Sequence, residues 1–201
     1  CGNTVRNITA SAEAGVDPNE PFDVSPYAHA AASYFMRNPI CQELGRKIKP
    51  AFSSSDKDTA FTFMHDFGFI PRIKDGQKGF KVVVGGGLGA QALFAQTAFE
   101  FLAADQVIPF MEAGLRIFDR YGEREKRHKA RMKFLIKELG IEHFLQLVDE
   151  ERKAIKIKSY PVEDVLDVKG PVDHFPSKVH KVKNEEKYAQ WLKTNVFEQK
   201  Q

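Results

Sequence analysis

Gly79-Phe80-Lys81-Val82-Val83-Val84-Gly85-Gly86-Gly87-Leu88-Gly89-Ala90 decides how this chain is read. A β-branched run flanked by Phe is a strong strand signal, and four glycines within five residues stop the strand in a tight turn. A helical run over 90–102 is expected to follow. Strand, G-x-G-x-x-A and helix in that order is the pattern of a dinucleotide site, where backbone N–H groups meet a pyrophosphate at a helix start. Such a site also needs an acidic residue about 20 positions on, at the end of a second strand. Asp105 has the spacing but no strand before it. A tight turn of purely structural purpose, or one offering N–H groups to another anion, stands beside the nucleotide reading.

Outward from this turn, strands alternate with longer helices. Apolar residues at helical spacing predict helices over 107–121, 129–139 and 141–153, with Gly140 as a stop. A helix beginning near Pro26, capped by Asp23 or Ser25, runs to Asn38-Pro39. The segment 61–69 reads as a helix entering a strand, and 185–196 as a short helix carrying Trp191. The fold class is α+β, a layered mixed sheet with helices. Residues 1–153 form one domain. Residues 154–201 form a connection and an arm, on which Trp191 and Phe197 need a surface to bury against.

Composition narrows the function. The chain has 201 residues, 42% of them hydrophobic, which supports a proper core. A net charge of +3 does not point to nucleic acid. No apolar run approaches the ~20 residues needed to span a bilayer. Two cysteines, Cys1 and Cys41, make neither a disulfide framework nor a self-contained metal site, so a reducing, cytoplasmic setting is expected. None of the six histidines pairs with another at ligand spacing.

Basic residues carry the remaining signal. In Arg46-Lys47-Ile48-Lys49-Pro50 the strand period puts Lys47 and Lys49 on one face, roughly 7 Å apart, and Ile48 on the other. They repel unless an anion sits between them. Spacing alone favours a solvated edge strand, which Pro50 would suit. Ser53-Ser54-Ser55-Asp56 reads as a turn or an anion-friendly loop. Arg127, Arg131 and Lys133 lie near one face of the expected helix, close enough to add to an anion site. Arg6 lies in Cys1-Gly2-Asn3-Thr4-Val5-Arg6-Asn7, a polar loop that reads as part of something longer.

Taken in order, four motifs resemble the sirohaem-containing nitrite and sulfite reductases. Gly2-Asn3-Thr4-Val5-Arg6-Asn7-Ile8-Thr9 with Ala14-Gly15-Val16-Asp17 resembles their arginine loop. Gly45-Arg46-Lys47-Ile48-Lys49 resembles their Pro-Arg-Lys-aromatic-Lys strand, with Gly45 for the Pro and Ile48 for the aromatic. The stretch from Phe80 to Gly89 resembles their glycine turn. Phe118-Asp119-Arg120-Tyr121-Gly122 through Lys129-Ala130-Arg131-Met132-Lys133 resembles their basic helix entry.

The resemblance implies a reductase fragment that takes sulfite to sulfide or nitrite to ammonia at sirohaem coupled to a [4Fe-4S] cluster. Electrons would come from ferredoxin or a flavoprotein. Arg6, Lys47 and Lys49 would act on the substrate side. Asn7, Arg46, Arg131 and the turn Gly85, Gly86 and Gly87 would hold the cofactor, the glycines through backbone N–H groups. Thr9-Ala10-Ser11-Ala12 stands where many members carry Cys-Pro, and the cluster cysteines of the family are absent. They would belong to a second half of the chain, without which the fragment is expected to be inactive. Lys49, where plant-type nitrite reductases tend to have Asn, leans towards sulfite. The readings from other classes are a nucleotide-binding oxidoreductase built on the 85–89 turn and a non-catalytic scaffold member of the family.

Overall fold

The computed structural model describes residues 2–163 and 182–197. The chain divides into two compact units at residues 166/167. The first is a five-stranded mixed sheet with helices. Its strands are β1 (Thr9–Ala10), β2 (Pro50–Phe52), β3 (Phe67–Lys74), β4 (Gln77–Val84) and β5 (Gln96–Ala103), in spatial order 1-2-3-4-5. The first three run parallel, whereas β4 and β5 are each antiparallel to the strand before. The expected α+β class holds.

The strand signal at 79–84 is confirmed, but the expected helix over 90–102 is not: Gln96–Ala103 is β5. The residues that suggested a helix instead pair antiparallel with β4, with register shifts along the ladder, and Leu102 opposite Phe80 is buried. The glycine turn therefore joins two antiparallel strands, and no helix N-terminus follows it. The strand–turn–helix geometry that the alternative dinucleotide reading requires is absent there.

The helices α1 (Ser25–Arg37), α2 (Val107–Tyr121), α3 (Met132–Leu139) and α4 (Ile141–Ala154) follow their apolar periods. In α1 the N-cap is Val24, with no side-chain cap; Asp23 instead accepts from the Ser25 N–H at 2.8 Å. The α3 helix starts three residues later than expected, because Arg127–Lys129 forms a separate turn of 3-10 helix and Arg131 is the N-cap. Arg127, Arg131 and Lys133 therefore do not share one helical face. Residues 61–69 are a short 3-10 turn (Thr62–Met64) entering β3.

Phe80 on β4 centres the core. It meets Phe22, Tyr27, Phe52 and Phe69 edge-on at centroid distances of 5.1–6.0 Å, and Phe52 stacks on Phe69 at 4.6 Å. The strand β2 lies between β1 and β3 rather than at an edge. Pro50 is tolerated as its first residue, where its missing N–H breaks no ladder bond. In the loop Ser53-Ser54-Ser55 the hydroxyls of Ser54 and Ser55 are taken up by the chain's own carboxylate, Asp17. Asp17 accepts from the Ser54 and Ser55 hydroxyls at 3.0 and 2.8 Å and from the Asn19 N–H at 2.9 Å. These bonds, that from the Asn19 backbone first, hold its carboxyl well below the usual range.

The second unit contains α5 (Glu185–Asn195), capped by the Asn184 side chain on the Lys187 N–H. Tyr188 and Trp191 stack there with centroids 6.0 Å apart. Trp191 and Phe197, expected to need a covering surface, are 52% and 80% exposed. Most of the expected connection (164–181) lies outside the described residues. No helix among the described residues is long and apolar enough to cross a membrane.

Candidate functional site

The site is built at one end of the sheet, where four motif segments end up side by side. Arg6 lies just ahead of β1, Lys49 immediately before β2 and Asp66 immediately before β3. Gly85 follows β4, which runs the opposite way, so its C-terminal end reaches the same edge of the sheet. Parallel pairing of β1 to β3 and antiparallel pairing of β4 are what gather residues so far apart in sequence.

The pairing continues past the strands. Val5 and Ile48 form a parallel bridge, with the Ile48 N–H on the Thr4 carbonyl at 2.9 Å and the Arg6 N–H on the Ile48 carbonyl at 3.0 Å. Ile48 is fully buried. Alternation therefore puts Arg6, Lys47 and Lys49 on the opposite face from Ile48, as the strand period implied. Lys47 responds to this crowding: Arg6 foremost, then burial, then Arg131, Arg46 and Lys49 pull its pKa below the ordinary lysine value.

Asp66, suggestive in the sequence only as the neighbour of His65, is a residue to which sequence reasoning assigned no role. It is fully buried, and its carboxylate accepts from the Lys49 N–H at 2.9 Å and from Arg131 Nη2 and Nε at 2.8 and 3.3 Å. Its own N–H donates to the Lys49 carbonyl at 3.2 Å, and its carbonyl accepts from Gly85 at 2.9 Å. Burial pushes its carboxyl up, and Arg131 opposes this. Asp66 thus ties the lysine strand, the glycine turn and the basic segment together. The only signal in the sequence was a charged residue between His65 and the aromatic start of a strand.

Gly85, Gly86 and Gly87 were expected to offer their N–H groups to a cofactor. The structure spends all three: they donate to the Asp66, His65 and Leu93 carbonyls, each at 2.9 Å. The glycines serve close packing instead. Gly85 has φ +85°, and a Cβ at Gly86 would lie 2.3 Å from the Phe63 carbonyl and 2.7 Å from that of His65. Gly86→Ala is therefore expected to cost about 1–3 kcal/mol through displaced backbone. A urea unfolding series checks it by a lower midpoint at unchanged slope.

Beside these segments lies a cleft of about 430 Å³. Arg46 and Lys47 line one side, Arg127, His128, Lys129 and Arg131 another, and the loop Leu88–Gln91 with Lys133 and Phe134 the rest. Its walls carry six Lys or Arg side chains and no carboxylate among the described residues. Arg131 enters it already paired to Asp66, so it is a held guanidinium and not a free one. Asn7 is exposed, and neither it nor Gly85–Gly87 lines the cleft. Lys133 was expected to add to an anion site, yet its ammonium is turned onto backbone carbonyls of Gly87, Leu88 and Gln91.

The lowered pKa of Lys47 has a sign that stability can report. Its folded form gives up a proton more readily than its unfolded form. Stability should therefore rise with pH from the lowered pKa up to the ordinary lysine value of about 10.4. Denaturant midpoints across that range are expected to rise more steeply in the parent than in Lys47→Met, which keeps the contribution of Lys133, whose pKa burial also lowers.

A cleft lined by six cationic side chains therefore stands at the end of the mixed sheet of an α+β domain. Residues 1–157 match the family model described as nitrite and sulphite reductase 4Fe-4S domain, and the chain belongs to that family of oxidoreductases. A ferredoxin-dependent sulfite reductase of Mycolicibacterium paratuberculosis is 33% identical over 92% of this chain and 32% of its own length. The chloroplastic ferredoxin–nitrite reductase of Zea mays is 31% identical over 82% of this chain and 30% of its own length. The chain spans about a third of the length of these relatives. The solved structure of NirA from Mycobacterium tuberculosis superposes with a TM-score of 0.70 at 30% identity, covering 87% of this chain and 31% of NirA. Dissimilatory sulfite reductase I shares the fold at a TM-score of 0.61 and 12% identity, covering 98% of this chain and 62% of its own.

Proposed function

We propose that this chain supplies one half of the sirohaem cleft of a reductase that converts sulfite to sulfide or nitrite to ammonia. The observation that carries the reading is the cleft with six cationic side chains and no facing carboxylate. Such a cluster is costly when empty and is offset by a polyanion. The residues present fit a macrocycle rimmed by carboxylates. Arg46, Arg127 and Lys129 would hold its rim, and Arg131, kept in place by Asp66, would present a fixed guanidinium to it. Sirohaem, when bound, supplies the iron at which the oxyanion is reduced. The four thiolates of a [4Fe-4S] cluster do not fit this chain. It has two cysteines, of which Cys41 is buried with its thiol pushed up to about 12, by burial first and then by Glu112 and Asp119.

The chain's own contribution to chemistry rests on Arg6, Lys47 and Lys49. Arg6 keeps a fixed positive charge next to Lys47 and draws in a small oxyanion. The depressed pKa of Lys47 makes its ammonium a better proton donor as oxygen leaves as water. Lys49, whose N–H and carbonyl are both tied to Asp66, has its backbone fixed while its side chain stays on the substrate face. Electrons would come from ferredoxin, for which these relatives are named, or from a flavoprotein. The sheet topology speaks against the nucleotide-binding alternative.

The test is the visible spectrum and the oxyanion-dependent electron uptake of the protein that contains this chain. Absorption of an iron tetrapyrrole and consumption of sulfite or nitrite are expected, and a colourless, inert protein returns the scaffold reading. Lys49→Asn should shift the ratio of kcat/KM values from sulfite towards nitrite. An unchanged ratio removes Lys49 as the selector.

A further inference from the structure

We infer that Lys133 is the positioning residue of the cleft wall: its buried ammonium pins the loop 88–92 from beneath and sets where that wall stands. The ligand consequence of this inference rests on the reading of the cleft given above, and the positioning itself does not.

An ammonium has three donors. Lys133 directs its Nζ at the Gly87, Leu88 and Gln91 carbonyls, at 3.3, 3.1 and 2.5 Å. The residue is 4% exposed, and Nζ also lies 5.1 Å from the Phe134 ring centroid. The base of the loop is closed by a reciprocal pair: the Gly87 N–H on the Leu93 carbonyl at 2.9 Å, and the Leu93 N–H on the Gly87 carbonyl at 3.0 Å. Between these ends every residue from 88 to 92 is exposed, so the loop buries no side chain of its own. The clamp from below is what fixes the tip.

The arrangement is costly if it serves only packing. Asp66, the carboxylate that acts on Lys133, is already engaged by Arg131 and the Lys49 N–H. The buried charge is therefore offset chiefly by carbonyl dipoles, and an apolar side chain of similar length would fill the same space more cheaply. The loop also has cavities on two sides. Gln91, Phe134 and Lys129 line both the cationic cleft and a second cavity of about 400 Å³ that includes Glu123 and Glu138. Held in place, the loop is a partition. Released, it would merge the two and bring carboxylates towards the cationic side.

Amide exchange of the full 201-residue chain tests this. In Lys133→Met, the Gly87 and Leu93 amides are expected to exchange at least tenfold faster, while the Val82 and Val83 amides of β4 keep their rates. Lys133→Gln, which retains a donor, should fall between. Unchanged exchange at Gly87 and Leu93 in Lys133→Met overturns the inference. If that variant loses β4 protection as well, Lys133→Gln decides on the same two amides. Uroporphyrin, an octacarboxylate tetrapyrrole, is then titrated by its absorbance shift. Weakening by threefold or more in Lys133→Met supports positioning, and an unchanged Kd with a loosened loop overturns it. No binding to the parent chain counts against the macrocycle reading alone and leaves the exchange rates to judge the clamp.

Discussion

Lys47→Ala is expected to lower kcat about 100-fold or more and to raise KM for the oxyanion in the protein that contains this chain. The size follows from two roles in one ammonium: a fixed charge facing developing negative charge, and a proton donor, each contributing about 10²-fold or more in precedented sites. The roles separate with Lys47→Arg. Arginine keeps the charge but holds its proton at any working pH. Lys47→Arg should therefore restore KM while leaving kcat low, and the alkaline limb of the kcat profile should vanish. Steady-state kinetics of both variants across pH check this. Recovery of kcat in Lys47→Arg would remove proton donation and leave only charge. Unchanged kinetics in Lys47→Ala would remove Lys47 from the site.

Lys47 also shows how much of the site could be read from the chain. Alternation around Ile48 correctly placed Lys47 and Lys49 on one face, because the strand period is a local property. What spacing could not show is that Arg6 belongs beside them. That depends on a parallel bridge between Val5 and Ile48, a contact 43 residues apart in sequence. Spacing alone favoured a solvated edge strand. Only pairing on both sides of β2 shows that the lysines stand at the end of an interior strand.

The glycine turn failed for the opposite reason. Its local pattern was real, but the next element was misassigned. The apolar residues of 96–103 satisfied a helical period while packing as a strand against β4. With a helix after the turn, free N–H groups at Gly85–Gly87 would have been reasonable. With a strand, those N–H groups close onto Asp66, His65 and Leu93. Asp66 was given no role because its partners are backbone groups and one arginine 65 residues away, which no spacing rule connects. The helices α2 and α4 were legible almost to the residue: α4 buries Phe144, Val148 and Glu151 at helical spacing, and α2 carries an apolar run long enough to be buried on nearly every side.

Arg116→Met is expected to destabilise the fold by about 3–5 kcal/mol at neutral pH. Arg116 joins Glu112 on its own helix, at 2.6 Å, to Glu151 on α4, at 3.3 Å. The Tyr34 hydroxyl from α1 donates to Glu112 as well, and burial first and Glu112 second push its phenol up. Three helices therefore meet through the Arg116–Glu112 pair: Arg116 reaches α4 and Glu112 reaches α1. Removing the guanidinium leaves the two carboxylates unequal. Glu151 keeps Arg120 at 3.1 Å, whereas Glu112, 4% exposed, keeps only a neutral hydroxyl. A buried charge left without its partner is what makes breaking such a pair costly. Denaturant midpoints of Arg116→Met should fall relative to the parent at pH 7. The double variant Arg116→Met, Glu112→Gln should be more stable than Arg116→Met at pH 7, because the buried charge has gone. If the double variant is no more stable than the single one, the loss comes from packing of the Arg116 stem rather than from a stranded charge.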